Sequence, residues 1–173
     1  MKQLRGIDLK RKQKNQKHGL DLVIVLENVQ YATNVANIFR IADAVKVSKM
    51  ILTGVTRTPP FGKDLAKTSR HKEKNVAWEK HPTTGKVIER LKRSGYKIVA
   101  LEITDESLPV GKYVKSERAK KIAVVLGSEV HGVSKNTLLD SDVSVHIPMF
   151  GKGASLNVGV SCAIFLYSLI LAL

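Results

Sequence analysis

The chain has one cysteine, Cys162, so no disulfide can close within it. That cysteine lies in an apolar segment and is expected to be a small buried hydrophobe. The five histidines and Cys162 show no metal-ligand spacing, so no metal is expected. No G-x-G-x-x-G follows the first apolar run, which leaves a standard dinucleotide-binding fold unsupported. Gly151-Lys152-Gly153 lacks the Ser or Thr that a P-loop carries after its lysine. Residues 1–20 contain no apolar core, so no secretory signal is read and a cytoplasmic location is expected.

Acids are scarce. There are 15 Asp and Glu against 29 Lys and Arg, a net charge of +14 and a pI of about 10.0. Such an excess, clustered rather than spread, points to a polyanionic partner, and nucleic acid is the commonest. One cluster fills residues 1–20, where seven Lys and Arg face only Asp8, a local charge of +6. This reads as a basic arm or frayed helix that meets phosphate through Lys10, Arg11 and Lys12. A second covers residues 57–93, with eleven bases against four acids. By contrast, the 21 residues from Gly153 to Leu173 carry no charge at all. That length could cross a bilayer, so a membrane anchor is one reading. Ser155, Asn157, Gly159, Ser161 and Ser168 run through the segment, however. A helix buried in a core or subunit interface explains it better, and no membrane partner is expected.

The chain is organised around residues 143–173. Residues 143–147 read as a short branched strand stopped by Pro148. Gly151 and Gly153 allow a tight loop. Ser155 is the expected N-cap of the final helix. The bland alternative is an ordinary strand–turn–helix connection. Upstream, residues 22–26 form a continuous apolar run, as in a strand covered on both faces. A helix is expected over 34–45, with apolar Val35, Ile38, Phe39, Ala42 and Val45. Arg40 sits among apolar neighbours and must reach solvent, an acid or a bound anion. Further strands are expected at 49–53, 75–80, 97–103 and 122–126. Helices are expected over 84–94, stopped by Gly95, and from a Ser134 cap to about Leu139. Strands alternating with helices argue for a mostly parallel α/β sheet. Residues 1–20 are expected as the arm and 21–173 as a single domain.

Three separated segments stand out: Asn34 with Arg40 six residues later; Gly127-Ser128-Glu129-x-x-Gly132; and Ile147-Pro148-Met149 followed by Ser155-Leu156-Asn157-Val158. Together they resemble the SpoU (TrmH) branch of the SPOUT RNA methyltransferases. The likeness runs over residues 20–173. It is closest to the TrmH group that methylates a D-loop guanosine of tRNA, through Leu26-Glu27-Asn28-Val29, Arg40-Ile41-Ala42-Asp43-Ala44-Val45 and Gly132-Val133-Ser134. Ala36, Ile41, Val130 and Gly159 depart from the residues usual in relatives.

The resemblance implies a parallel α/β sheet flanked by helices, closed by a C-terminal trefoil knot and working as a homodimer with its site at the subunit interface. It implies S-adenosylmethionine held by Leu101, Gly127, Ile147, Met149 and Leu156. Arg40 would be central, as phosphate clamp or, on the family's proposal, as base. Asn34, Glu129, Ser155 and Asn157 would shape the site. Structural roles stand beside these: helix caps for Asn34 and Ser155, a loop acceptor for Glu129, a helix-start amide for Asn157. The expected function is 2′-O-ribose methylation of tRNA. The alternatives are ribosomal RNA as substrate, a non-catalytic RNA-binding module, and a membrane-anchored basic protein.

Overall fold

The branched apolar runs become the inner strands of one parallel sheet. The computed structural model describes residues 3–13, 17–62 and 68–172. In chain order its elements are α1 (Gly6–Gln13), β1 (Asp21–Glu27), α2 (Ala32–Ala44), β2 (Lys49–Thr53), β3 (Trp78–His81), α3 (Thr84–Arg93), β4 (Lys97–Leu101), β5 (Leu108–Pro109), α4 (Val110–Ser116), β6 (Lys121–Leu126), α5 (Lys135–Leu139), β7 (Val143–His146) and α6 (Val158–Leu171). Seven strands lie in the order β3-β2-β1-β6-β4-β7-β5, and every pairing is parallel.

Alternation along β1 explains its unbroken apolar run. Leu22, Ile24 and Leu26 belong to one core with Ile38 and Phe39 of α2, Tyr113 of α4 and Phe165 of α6. Val23 and Val25 belong to the other, with Val87, Ile88 and Leu91 of α3. A strand buried on both faces has no position left for a polar residue. The first core also holds Cys162, as expected, and burial pushes its thiol up to about 12.

Several boundaries differ from the sequence reading. α2 starts at Ala32, so Asn34 lies inside the helix and not at its cap. The strand expected at 75–80 is β3, displaced because residues 72–74 form a 3₁₀ turn before it. Ser155 caps nothing. Asn157 is the N-cap of α6, its side-chain oxygen accepting from the N–H groups of Gly159 (2.9 Å) and Val160 (3.4 Å). Ser134 does cap α5, as read, accepting from the Thr137 N–H at 3.3 Å. β5 and α4 were not foreseen; a two-residue strand has no period to detect. Arg11 and Lys12 are exposed on α1, while the Lys10 side chain lies outside the described residues. Among the described residues no helix is long and apolar enough to cross a membrane, and no His, Cys, Asp and Glu cluster could hold a metal ion.

One buried carboxylate links α4 to the sheet. Burial works against the charge of Glu117. The Lys97 ammonium at 2.8 Å and the N–H groups of Ala119 (2.7 Å) and Arg118 (2.8 Å) outweigh it and hold the carboxyl at about 2. Lys97 also sits over the ring of Tyr113, which stacks on Phe165. A carboxyl lowered from 4.5 contributes its full stability above pH 4.5 and loses it as pH falls toward 2. The melting temperature should therefore drop more steeply over that window in the wild type than in Glu117→Gln. Equal slopes would remove Glu117 from the acid sensitivity.

Candidate active site

In open parallel sheets ligands gather at the carboxyl ends of the strands. Here the loops after β1, β4, β6 and β7 enclose a cleft of about 780 Å³ at that end. Its glycines are set by close approach. A Cβ on Gly127 would lie 1.9 Å from the Gly132 carbonyl carbon. Gly132 has φ +63°, and a Cβ there would meet a Glu102 carboxylate oxygen at 2.1 Å. Only glycine fits at either position. Backbone bonds exchanged between Ser128 and Gly132 (3.0 and 2.9 Å) close this loop on itself.

A chain of polar side chains crosses the cleft mouth. Asn157 donates to the Asn34 side-chain oxygen at 2.9 Å, and the Asn34 amide donates to Glu129 at 2.8 Å. Glu129 also accepts from the N–H groups of Gln30 (3.1 Å) and Tyr31 (3.2 Å), just before α2. A carboxylate there satisfies free donors and meets the positive end of the helix dipole. Residues 34, 129 and 157, far apart in the chain, thus form one continuous network.

All nine expected residues other than Arg40 and the arm line the cleft: Asn34, Glu129, Ser155 and Asn157, and Leu101, Gly127, Ile147, Met149 and Leu156. Arg40 does not. It is exposed on α2, about 9 Å farther along the helix axis than Asn34 and turned away from it. Arg11 and Lys12 are likewise no part of the cleft wall.

The structure adds residues that sequence reasoning passed over. Glu27 is buried and accepts from the Ser134 N–H (2.9 Å), the Ser134 hydroxyl (3.0 Å) and the Thr137 hydroxyl (2.7 Å), fixing the far end of the β6 loop. Glu102 accepts from the Val133 N–H at 2.9 Å. Glu27 stands in the Leu26-Glu27-Asn28-Val29 segment of the resemblance without a role of its own, and for Glu102 the only signal is a carboxylate directly after a strand. His146, on the cleft wall, is oriented by Ser107. The Ser107 hydroxyl proton goes to the Thr104 carbonyl at 2.7 Å, so its 2.9 Å contact with His146 has the Nδ1–H donating. In the neutral ring that direction leaves Nε2 without a proton.

The model of the SpoU rRNA methylase family matches residues 21–167. The chain belongs to this family. A TrmH family tRNA/rRNA methyltransferase of Staphylococcus aureus is 29% identical over 156 residues, 90% of this chain and 61% of that protein. The chain thus spans less than two thirds of that relative's length. The tRNA (guanosine(18)-2′-O)-methyltransferase of Thermus thermophilus is 31% identical over 147 residues, 85% of this chain and 73% of that protein. Among solved structures, the TrmH/SpoU tRNA modifying enzyme of A. aeolicus superposes with a TM-score of 0.76 at 27% identity, over 95% of this chain and 83% of that one. Two further methyltransferases of the same fold, each under 25% identical, were solved with S-adenosylmethionine bound. The expected family and sheet architecture are therefore the observed ones.

Two outcomes check the site geometry. Glu129→Gln replaces an acceptor of three N–H groups by a side chain with one acceptor oxygen, and should cost about 1–3 kcal/mol in urea denaturation; a loss below 0.5 kcal/mol would mean that water replaces the network, by the same principle. Long-range ¹H–¹⁵N spectra of the neutral His146 ring should show the proton on Nδ1, with both tautomers appearing in Ser107→Ala. A proton on Nε2 in the wild type would refute the assigned donor direction.

Proposed function

We propose that this protein transfers a methyl group from S-adenosylmethionine to a ribose 2′-hydroxyl of tRNA, at a D-loop guanosine. The observation that carries the proposal is the Asn157–Asn34–Glu129 network, which joins three segments at the mouth of a glycine-shaped cleft. The relatives named above support tRNA as substrate, and the guanosine choice follows the Thermus thermophilus enzyme.

The cleft suits the cofactor. Its volume falls within the range of ligand pockets, about 300–1,000 Å³. Leu101, Ile147, Met149 and Leu156 supply an apolar wall, and Gly127 and Gly132 bring backbone close where a side chain would intrude. When bound, S-adenosylmethionine supplies an electrophilic methyl on a sulfonium. The chain's own part is alignment and charge. Asn34 is held by Glu129 and Asn157 where it can orient the ribose. The Ser155 hydroxyl has no partner among the described residues and is available to the nucleotide. An arginine is charged at any ordinary pH, so Arg40 acts as a phosphate clamp and not as a base.

Arg40 lies outside its own cleft, and a homodimer accounts for that. α6 exposes Val160 (48%), Tyr167 (45%) and Leu171 (80%), an uncharged surface that a second copy would cover. Such a dimer would let Arg40 serve the neighbouring copy's cleft. The trefoil knot belongs to the same reading: β4 lies between β6 and β7, so the loops leaving those strands flank one another at the cleft.

The test is transfer of labelled methyl to unmodified tRNA, with ribosomal RNA in parallel. Label in tRNA that disappears when the D-loop guanosine is substituted is the expected outcome; label only in ribosomal RNA would move the target. Arg40→Ala should lower turnover at least 100-fold, roughly the loss of one electrostatic contact to the reacting group, with cofactor affinity unchanged. Retained turnover would end the role given to Arg40. Sedimentation should give a dimer, and Val160→Asp a monomer.

A further inference from the structure

Beside the cleft lies a second, smaller groove of about 370 Å³, lined by Tyr31, Arg57, Thr58, Pro60 and Phe61 among others. Tyr31 belongs to both walls, so the two spaces are neighbours. We propose that this groove seats the unstacked base of the nucleotide being methylated, with Tyr31 stacking on the base and Arg57 holding a flanking phosphate. The inference rests on the methyl-transfer reading, because it takes the neighbouring cleft to be where the ribose hydroxyl reacts.

The chemistry is that of single-stranded RNA recognition. Bases drawn out of a stack are held on aromatic faces, and phosphates by guanidinium groups. Tyr31 is 58% exposed, and Arg57 is exposed. Among the described residues neither the Tyr31 hydroxyl nor the Arg57 guanidinium has a hydrogen-bonding or ionic partner. On the cleft side, Glu129 is already engaged by Gln30, Tyr31 and Asn34. Among the described residues the groove therefore offers a cation without an ionic partner beside an aromatic ring.

Its walls are also fixed in advance. The Tyr31 N–H is held by Glu129. The Arg57 N–H donates to the Val29 carbonyl at 3.2 Å. Thr56, next to it, accepts from the Val29 N–H and donates to the Leu26 carbonyl through one hydroxyl, both at 3.0 Å. Lys80 grips the Thr56 carbonyl at 2.7 Å. Phe61 packs edge-on against the buried Phe39, with ring centroids 5.9 Å apart. With the backbone tethered at both sides, only the Tyr31 and Arg57 side chains need settle when a flat ring enters. Single-stranded loop nucleotides are the usual targets of specific RNA recognition, and a splayed-out loop base needs a place to stack.

The test compares Tyr31→Ala, Tyr31→Phe and Arg57→Gln in methyl transfer to unmodified tRNA and ribosomal RNA, with S-adenosylmethionine affinity measured by calorimetry. Tyr31→Ala and Arg57→Gln should each lower transfer at limiting RNA roughly tenfold, the loss expected for one stacking or phosphate contact. Cofactor affinity should not change, and Tyr31→Phe should transfer nearly as the wild type. Wild-type transfer by Tyr31→Ala and Arg57→Gln, or equal loss in Tyr31→Phe and Tyr31→Ala, overturns the proposal. If the wild type itself transfers no methyl, the function reading fails and a second measurement decides the groove. The four nucleoside 5′-monophosphates are then titrated while the Tyr31 ring and Arg57 side-chain NMR signals are followed. Saturable shifts of both signals support a nucleotide seat, and the absence of a saturable shift overturns it.

Discussion

The site depends on one carboxylate. Glu129 comes from the loop after β6, but all its partners come from the start of α2: two backbone N–H groups and the Asn34 amide. Adjacent strands of a sheet fix the distance between their ends and leave the loops free. Glu129 removes that freedom, because several donors converge on one charged acceptor. The bond from the Asn34 amide to Glu129 fixes which way the side chain faces and turns its oxygen toward Asn157. Each side chain's orientation follows from the one before it, and the position of α6 follows from Asn157.

Acids are few in this chain, yet three of them hold the cleft. Glu27 and Glu102 tie down the end of the β6 loop at Ser134 and Val133, and Glu129, from the loop itself, ties its first half to the start of α2. Each sits at or just beyond a strand end and accepts backbone N–H groups that the turn leaves unpaired. Gly127 and Gly132 belong to the same device: they let the loop fold close enough for these carboxylates to reach it. With these acids turned inward, more of the positive charge outside is left to act on a polyanion.

The sequence was most informative where one physical demand governs a residue. Double-sided burial made β1, β2 and β6 readable as apolar runs, and their parallel pairing followed. The residues of the cleft were legible through their resemblance to a family and their strand–loop–helix setting. Local capping chemistry served for Ser134 and failed at Ser155. Both are good caps by type, but the helix has not begun near Ser155, and Asn157, two residues on, supplies the capping oxygen. The start of α2 was missed because Tyr31 offers no side-chain cap; what supports that end is Glu129, 98 residues away. Nor could spacing have revealed the Ser107–His146 pair, which is made by the pairing of β5 with β7. Arg40 shows a different limit. Its helical position was legible, but its place relative to the cleft depends on what packs against α2 and α6.

The final helix joins these levels. Its inner face, with Gly159, Cys162, Phe165, Leu166 and Leu169, is buried against α2 and the sheet, and its outer face carries Val160 and Tyr167. A Cβ on Gly159 would lie 3.7 Å from the Cβ of Asn37, so the two helices approach closely where Asn157 meets Asn34. The inner face is apolar because it packs in the core, and the proposed second copy would place the same demand on the outer face. Pressure on the outer face is transmitted through a rigid helix to its own N-cap. That cap is Asn157, one hydrogen bond from Asn34. On this geometry association and site assembly are not separate properties, because the element that would hold the dimer together also holds the asparagine that orients the site.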